Sequence, residues 1–206
     1  MITANFKLHK GDLPADLAFP RGVAIDTETL GLKPHRDRLC LVQLSDGDGT
    51  AHLVKFAGDD YRAPRLRALL ADPKILKIFH FARFDIAVLE QYLGVATSPI
   101  YCTKIASKLA RTYTDSHGLK DLAGELLDIE LSKQQQSSDW GAAELSDSQL
   151  SYAAHDVLHL HAVKAKLDAM LVREGREGLA EAAFTFLPAR ARLDLAGFED
   201  DDIFAH

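Results

Sequence analysis

Four carboxylates and a tyrosine, spread over three stretches of the chain, have the types and spacing to do chemistry together. The first pair, Asp26 and Glu28, interrupts the apolar run Val23-Ala24-Ile25 within GVAIDTETLGL, residues 22–32. Behind Pro20 and Gly22 that run reads as the start of a buried strand. Strand side chains alternate between faces, so two acids at a spacing of two share one face and can aim at one point. Such a pair at the edge of a core is costly unless protonated, hydrogen-bonded or neutralised. A bound metal meets that demand most simply, although a solvated turn ending at Gly31 would also accommodate the pair taken alone. Asp85 follows in the first turn of the helix predicted for FARFDIAVLEQYLG, residues 81–94, where an acid often serves the helix dipole. Tyr152 and Asp156 lie four apart and share a face of a third element, a late helix. Four carboxylates from three elements suit two divalent ions about 3.5–4 Å apart, an arrangement that clamps the attacking and leaving oxygens of phosphoryl transfer. Hard oxygen ligands favour Mg2+ or Mn2+ over zinc. His155 and His159, also four apart, have metal-ligand spacing but no third His or Cys nearby to complete a zinc site.

The elements that must position these groups follow from periodicity and punctuation. Residues 1–20 suggest a short strand and a loop or helical turn leading into the acidic strand. Leu39–Ser45 (LCLVQLS) is a second strand, and the Asp46–Gly49 turn returns the chain along His52–Phe56, giving a three-strand meander. Leu66, Leu69 and Leu70 have helical spacing before Pro73; Lys74–His80 is a fourth strand, and Ile100–Thr103 a short fifth. Strand and helix then alternate, as expected of an α/β domain. Helices are expected through Arg111, over Leu119–Leu127, from an N-cap at Ser146 to about Arg173, and from Glu177 to Leu195 with a bend at Pro188. The core stripe of the long helix is Leu150, Ala153, Ala154, Val157 and Leu160.

A chain of 206 residues fits one domain spanning 1–206. Cys40 and Cys102 have no paired spacing, no secretory leader is legible, and no apolar run reaches the roughly 18 residues of a membrane span; a reduced, cytoplasmic setting is expected. The formal net charge of −6 argues against a grip on long nucleic acid. Much of that charge sits in the acidic tail, about 197–206, expected to be disordered or docked on a neighbouring subunit. The body is then only weakly charged, and two divalent cations would turn it weakly positive, which suits a short substrate held at a metal site.

Taken in order, the stretches AIDTETLGL, HFARFD and SSDW…LSDSQLSYAAHDVLHLH resemble the ribonuclease D branch of the DEDD exonuclease superfamily, in the subgroup with a tyrosine in its last motif. That resemblance covers most of the chain. It implies an α/β, ribonuclease H-like fold: a mixed five-stranded sheet, with an antiparallel meander beside parallel strands and helices on both faces. It also implies that Asp26, Glu28, Asp85 and Asp156 hold two divalent cations and that Tyr152 orients or helps deprotonate an attacking water. The reaction implied is hydrolysis of the 3′-terminal phosphodiester of RNA, releasing a nucleoside 5′-monophosphate. Two departures stand out. Phe81 occupies a position where the family usually has Asn, and the helical nucleic-acid-binding domain that follows the catalytic one in ribonuclease D is not expected here. Size, charge and the DTETLGL and PHRDRLCLVQLS wording are similar to the nano-RNase C type of alphaproteobacterial enzyme, which implies a homo-octamer and a preference for very short oligoribonucleotides, dinucleotides in particular.

Several residues are candidates for holding such a substrate. The backbone around Thr27 and Thr29 is placed to hold the terminal sugar, while Leu30 is either a wedge between the terminal bases or a core residue. His80 and Phe81 head the second motif, and the Phe81 ring could stack on a base. Lys133, Ser137 and Ser138 form a polar loop that either caps a 5′ phosphate or is simply solvated; Trp140 reads as the plug of that loop. The same chemistry on longer RNA or DNA is the main alternative, followed by a non-catalytic nucleic-acid-binding scaffold. A phosphatase of the Asp-x-Asp type fails because Glu28 occupies the second position.

Overall fold

Period-two alternation along two central strands fixes where everything else packs. In the computed structural model, which describes residues 4–132 and 134–206, β2 (Val23–Thr29) lies antiparallel to β3 (Leu39–Ser45). All seven residues of β3 are buried, as expected of a strand covered on both faces. The Asp46–Gly49 turn leads into β4 (Thr50–Lys55), antiparallel to β3. In that turn the Asp46 and Asp48 carboxylates accept the backbone N–H groups of Asp48 and Thr50 at 3.0 and 2.7 Å, the local bonding that makes Asp a turn residue. On the other side of β2, β5 (Lys77–Phe79) and β6 (Ile100–Cys102) pair in parallel.

The sheet has six strands, not five. β1 (Asn5–Lys10) pairs in parallel with β4, giving the order β1-β4-β3-β2-β5-β6 in which β3 alone runs against the rest. As an edge strand it is largely exposed and carries Lys7, His9 and Lys10 among its six residues, so its alternation is too weak to mark it as part of the sheet.

One layer of helices, α1 (Pro64–Ala71), α2 (Ala82–Leu93) and α7 (Glu177–Leu193), buries Leu66, Ile86, Leu89 and Leu187 against Val23, Ile25 and Val42. The opposite layer comprises α3 (Thr103–Ala110), α4 (Leu119–Leu127), α5 (Asp147–Leu158) and α6 (Leu160–Glu174). It packs Ala106, Leu122, Leu150, Val157 and Val163 against Ala24, Leu41 and Ile78. Since Val23 and Ile25 turn towards α2 and Ala24 towards α5, parity sends Asp26 and Glu28 to the α5 side and Thr27 to the α2 side.

Three expectations change in detail. The helix from Ser146 breaks at His159 (φ −103°, ψ −6°), so that α5 lies on β2–β4 while α6 packs on α3, α4 and β5. That backbone conformation is open to any residue, and no Gly or Pro marks it. β5 is shorter than Lys74–His80 because Lys74 and Ile75 remain in the turn after α1, their N–H groups bonded to Asp72. The chain continues through Pro188 and ends α7 in a π-helical turn, Asp194–Phe198. Beyond it the acidic tail docks on its own body: Arg83 and Arg190 both hold the Asp194 carboxylate and the Glu199 carbonyl, and Lys33 Nζ lies 2.9 Å from Glu199 Oε1. Among the described residues, no helix is long and apolar enough to cross a membrane.

Candidate active site

At the C-terminal end of β2, the α5 side of the sheet gathers three carboxylates. One oxygen each of Asp26, Glu28 and Asp156 lie within 4.8 Å of one another. Asp156 is delivered by α5, whose start is fixed by a capping box: Ser146 Oγ accepts the Gln149 N–H, and Gln149 Oε1 accepts the Ser146 N–H at 3.0 Å. Asp85 reaches the same end from α2 and stands outside that three-oxygen group. Its Oδ1 accepts a hydrogen bond from the Thr27 hydroxyl at 2.7 Å, which employs the one β2 side chain between the two acids that points away from them. Among the described residues, no lysine or arginine forms an ion pair with any of the four.

Burial without a counter-charge raises the proton affinity of all four. The Asp26 carboxyl is pushed up to about 7 by burial, against the pull of the Thr27 N–H. Burial, and then the charges of Asp26, Asp156 and Asp85, raise Glu28. Asp85 and Asp156 rise through burial and then through the charge of Asp26. Tyr152, one turn before Asp156, has its phenol raised by burial and by the Asp156, Glu28 and Asp26 charges. The Trp140 ring is buried 6.1 Å from that of Tyr152, the plug expected of it.

The candidates for substrate contact divide. Leu30 is 52% exposed, a surface side chain and not a core one. It leans on Gly141, where a Cβ would come within 2.7 Å of Leu30 Cδ2. Thr27 is buried against Asp85, and the Thr29 hydroxyl is used by the Gly31 carbonyl, so at both positions the backbone is what remains to offer. His80 Nδ1 lies 2.9 Å from Thr103 Oγ1, whose own proton goes to the Phe79 carbonyl at 3.1 Å. The ring therefore donates from Nδ1, and burial aided by Lys104 lowers its pKa to about 3. Phe81 sits at the N-cap of α2 in the left-handed region (φ 67°), 45% exposed, with Lys104 Nζ 4.3 Å from the ring centroid. Ser137 is exposed and the Ser138 hydroxyl bonds Gln135 Oε1 at 2.6 Å, within their own loop. Lys133 lies outside the described residues. His155 and His159 stand side by side, ring centroids 6.0 Å apart, with His155 Nδ1 bonded to the Ser151 carbonyl.

A family model described as 3′-5′ exonuclease matches residues 11–172. The chain belongs to this exonuclease family. Ribonuclease D of Gluconacetobacter diazotrophicus is 36% identical over 154 residues, covering 75% of this chain and 39% of that protein. Among solved structures, Brucella melitensis NrnC is 58% identical with a TM-score of 0.96 over 98% of both chains. The same protein has been solved with bound Mg2+ and bound to pGG, at TM-scores of 0.94 and 0.95 and identities of 56% and 57%; these cover 98% of this chain and 99% and 98% of those. RNase D of Escherichia coli is 27% identical with a TM-score of 0.72, over 83% of this chain and 45% of that one. The chain spans 39% and 44% of the length of the first two curated ribonuclease D relatives it matches.

One residue beside these carboxylates goes unnoticed in the sequence. Gln43, wholly buried on β3, stands opposite Asp26 in the strand register, with Nε2 3.3 Å from Asp26 Oδ2 and 3.5 Å from Glu28 Oε1. Its only signal is an amide inside the otherwise apolar run Leu39–Leu44. The site's chemistry fits a divalent cation: an all-oxygen donor set, carboxylates whose proton affinity is raised by burial, and a buried Gln43 Oε1 with no donor among the described residues.

Proposed function

We propose that this chain is a 3′-5′ exoribonuclease that hydrolyses short oligoribonucleotides, dinucleotides in particular, to nucleoside 5′-monophosphates with two divalent cations, Mg2+ or Mn2+. The observation that carries the reading is the convergence of Asp26, Glu28 and Asp156 within 4.8 Å, with Asp85 beside them and, among the described residues, no lysine or arginine in an ion pair with them. Asp26, Glu28, Asp85 and Asp156 would hold the cations. Bound there, these supply positive charge to the phosphoryl oxygens and acidify the attacking water. Tyr152, one turn before Asp156 on α5, orients or helps deprotonate that water.

Substrate length is read by the surrounding residues. Leu30 wedges against the terminal bases, the backbone at Thr27 and Thr29 holds the terminal sugar, and His80 and Phe81 line the second motif. Lys133, Ser137 and Ser138 cap the 5′ phosphate. Support for a short substrate comes from the near-full-length likeness to Brucella melitensis NrnC, whose solved structures include one bound to pGG. The same likeness and the family resemblance underlie a cytoplasmic homo-octamer. The ribonuclease D relatives favour a second reading, the same hydrolysis on longer RNA.

A time course on 5′-labelled RNAs of two, three, seven and twenty nucleotides, with matching DNAs and a chelator control, separates the two. Cleavage of the dinucleotide far ahead of the rest is expected. Equal trimming of the longer RNAs establishes the second reading, and no metal-dependent cleavage of any substrate overturns both.

A further inference from the structure

Gln43 occupies a place where a hydrocarbon would pack more cheaply. It lies at the middle of the central strand β3, fully buried, between Asp26 on β2 and Leu53 on β4 in the register. Replacing a buried polar group by an apolar one of similar volume is often neutral or stabilising, so packing alone gives no reason for an amide here. Among the described residues its Nε2 is the only side-chain donor to either Asp26 or Glu28. One amide nitrogen carries two hydrogens, one for each acid. Each carboxylate thereby has one oxygen engaged by the same amide, at 3.3 and 3.5 Å, which ties the orientation of the two acids together beside Asp156. The acceptor end of the same amide, Oε1, is buried with no donor among the described residues. A Mg2+ ion sheds water reluctantly and keeps part of its hydration when it binds protein, so it brings hydrogen-bond donors to an acceptor beside the acids as well as charge.

We propose that Gln43 is a positioning residue for the cation site, its NH2 fixing the orientation of the Asp26 and Glu28 carboxylates and its Oε1 receiving a hydrogen bond from water that accompanies the cation. This deepens the metal-dependent reading above and rests on it. The role belongs to the ligand-orienting contacts around a metal, whose removal typically weakens affinity about 10–100-fold. The rigidity of β3, paired on both sides, is what makes its amide suitable: the donor cannot drift from the acids it aligns.

The test is a titration of Mg2+ and of Mn2+ into chelator-treated protein without RNA, followed by the shift in melting temperature, for the wild type, Gln43→Met and Gln43→Leu. Both variants keep the volume and lose donor and acceptor together, avoiding a stranded half of the pair. The expected result is a folded protein by circular dichroism whose metal midpoint moves up about 10–100-fold, with hydrolysis recovering at saturating metal to within about tenfold of wild type. An unchanged midpoint overturns the proposal, as does failure of both variants to fold, which would make Gln43 a residue of the core alone. If the wild type shows neither metal-induced stabilisation nor hydrolysis, the metal-dependent reading itself has failed, an outcome distinct from equal metal binding by all three proteins.

Discussion

Replacing Asp26 by asparagine should make the metal-free protein more stable while abolishing its chemistry. Burial pushes the Asp26 carboxyl from its ordinary 3.8 up to about 7. A raised native pKa means that the folded state binds the proton more tightly than the unfolded one. Ionising Asp26 therefore opposes folding across the window from 3.8 to about 7, and the whole penalty is felt above it. At about 1.36 kcal/mol per pH unit the penalty at pH 8 is about 4 kcal/mol, and it shrinks to below about 2 kcal/mol at pH 5 as the native carboxyl takes up its proton. Asparagine keeps the shape and the acceptor oxygen for Gln43 Nε2, carries no charge, and relieves Glu28, Asp85 and Asp156, each of which is raised by the charge of Asp26.

Equilibrium urea unfolding in the presence of a chelator measures this directly. The variant should gain about 2–4 kcal/mol over the wild type at pH 8 and less than about 2 kcal/mol at pH 5. Saturating Mg2+ should then close or reverse the gap, because the wild type gains about 2.7 kcal/mol at a hundred times its dissociation constant, and the variant, lacking a ligand, does not. A variant less stable than wild type in chelator at pH 8, or a gap that does not change between pH 8 and pH 5, would refute the reasoning.

Asp156→Asn should lower hydrolysis by at least about a hundredfold while leaving the far-ultraviolet circular dichroism spectrum unchanged; full activity in that variant removes Asp156 from the site. Tyr152→Phe should reduce kcat by about 10²–10⁴-fold and leave the metal-induced rise in melting temperature as in wild type, since the phenol acts on the water and not on the cation. In Gly141→Ala the new methyl would meet Leu30 Cδ2 at 2.7 Å and Arg38 Nη2 at 3.2 Å. A third neighbour, Asp139 Oδ1, also lies at 3.2 Å; all three are ends of side chains and not backbone, so stability should change by less than about 1 kcal/mol while KM for a dinucleotide rises several-fold as Leu30 is displaced; an unchanged KM removes Leu30 from the substrate surface.

What could be read from the sequence follows the reach of each signal. Strand parity places Asp26 and Glu28 on one face whatever the strand pairs with, and i,i+4 spacing joins Tyr152 to Asp156 whatever the helix packs on. The N-cap at Ser146 is local as well, and the structure holds it with both bonds of a capping box. Features that depend on two elements meeting were not legible. Thr27 is an unremarkable strand threonine until α2 brings Asp85 to its hydroxyl. A short strand before the acidic one is legible, but its place is not: β1 joins the sheet only by pairing with β4. The break at His159 has no breaker residue because the conformation there needs none, and the direction of α6 is set by the helices it meets.

Gln43 shows the limit most sharply. That LCLVQLS is a strand can be read from its residues; that its amide faces Asp26 depends on the register between β2 and β3. The register is set across the long connection of residues 30–38 and an irregularity between Glu28 and Thr29. Shifting that pairing by one residue would turn the amide to the opposite face of the sheet, leaving Asp26 and Glu28 with no side-chain donor and placing a polar group among the hydrocarbons that pack under α2. The same antiparallel pairing that closes the core thus also decides which face of β3 meets the acids. The polar residue in the middle of that strand is therefore explained by the site, and the strand around it by the fold.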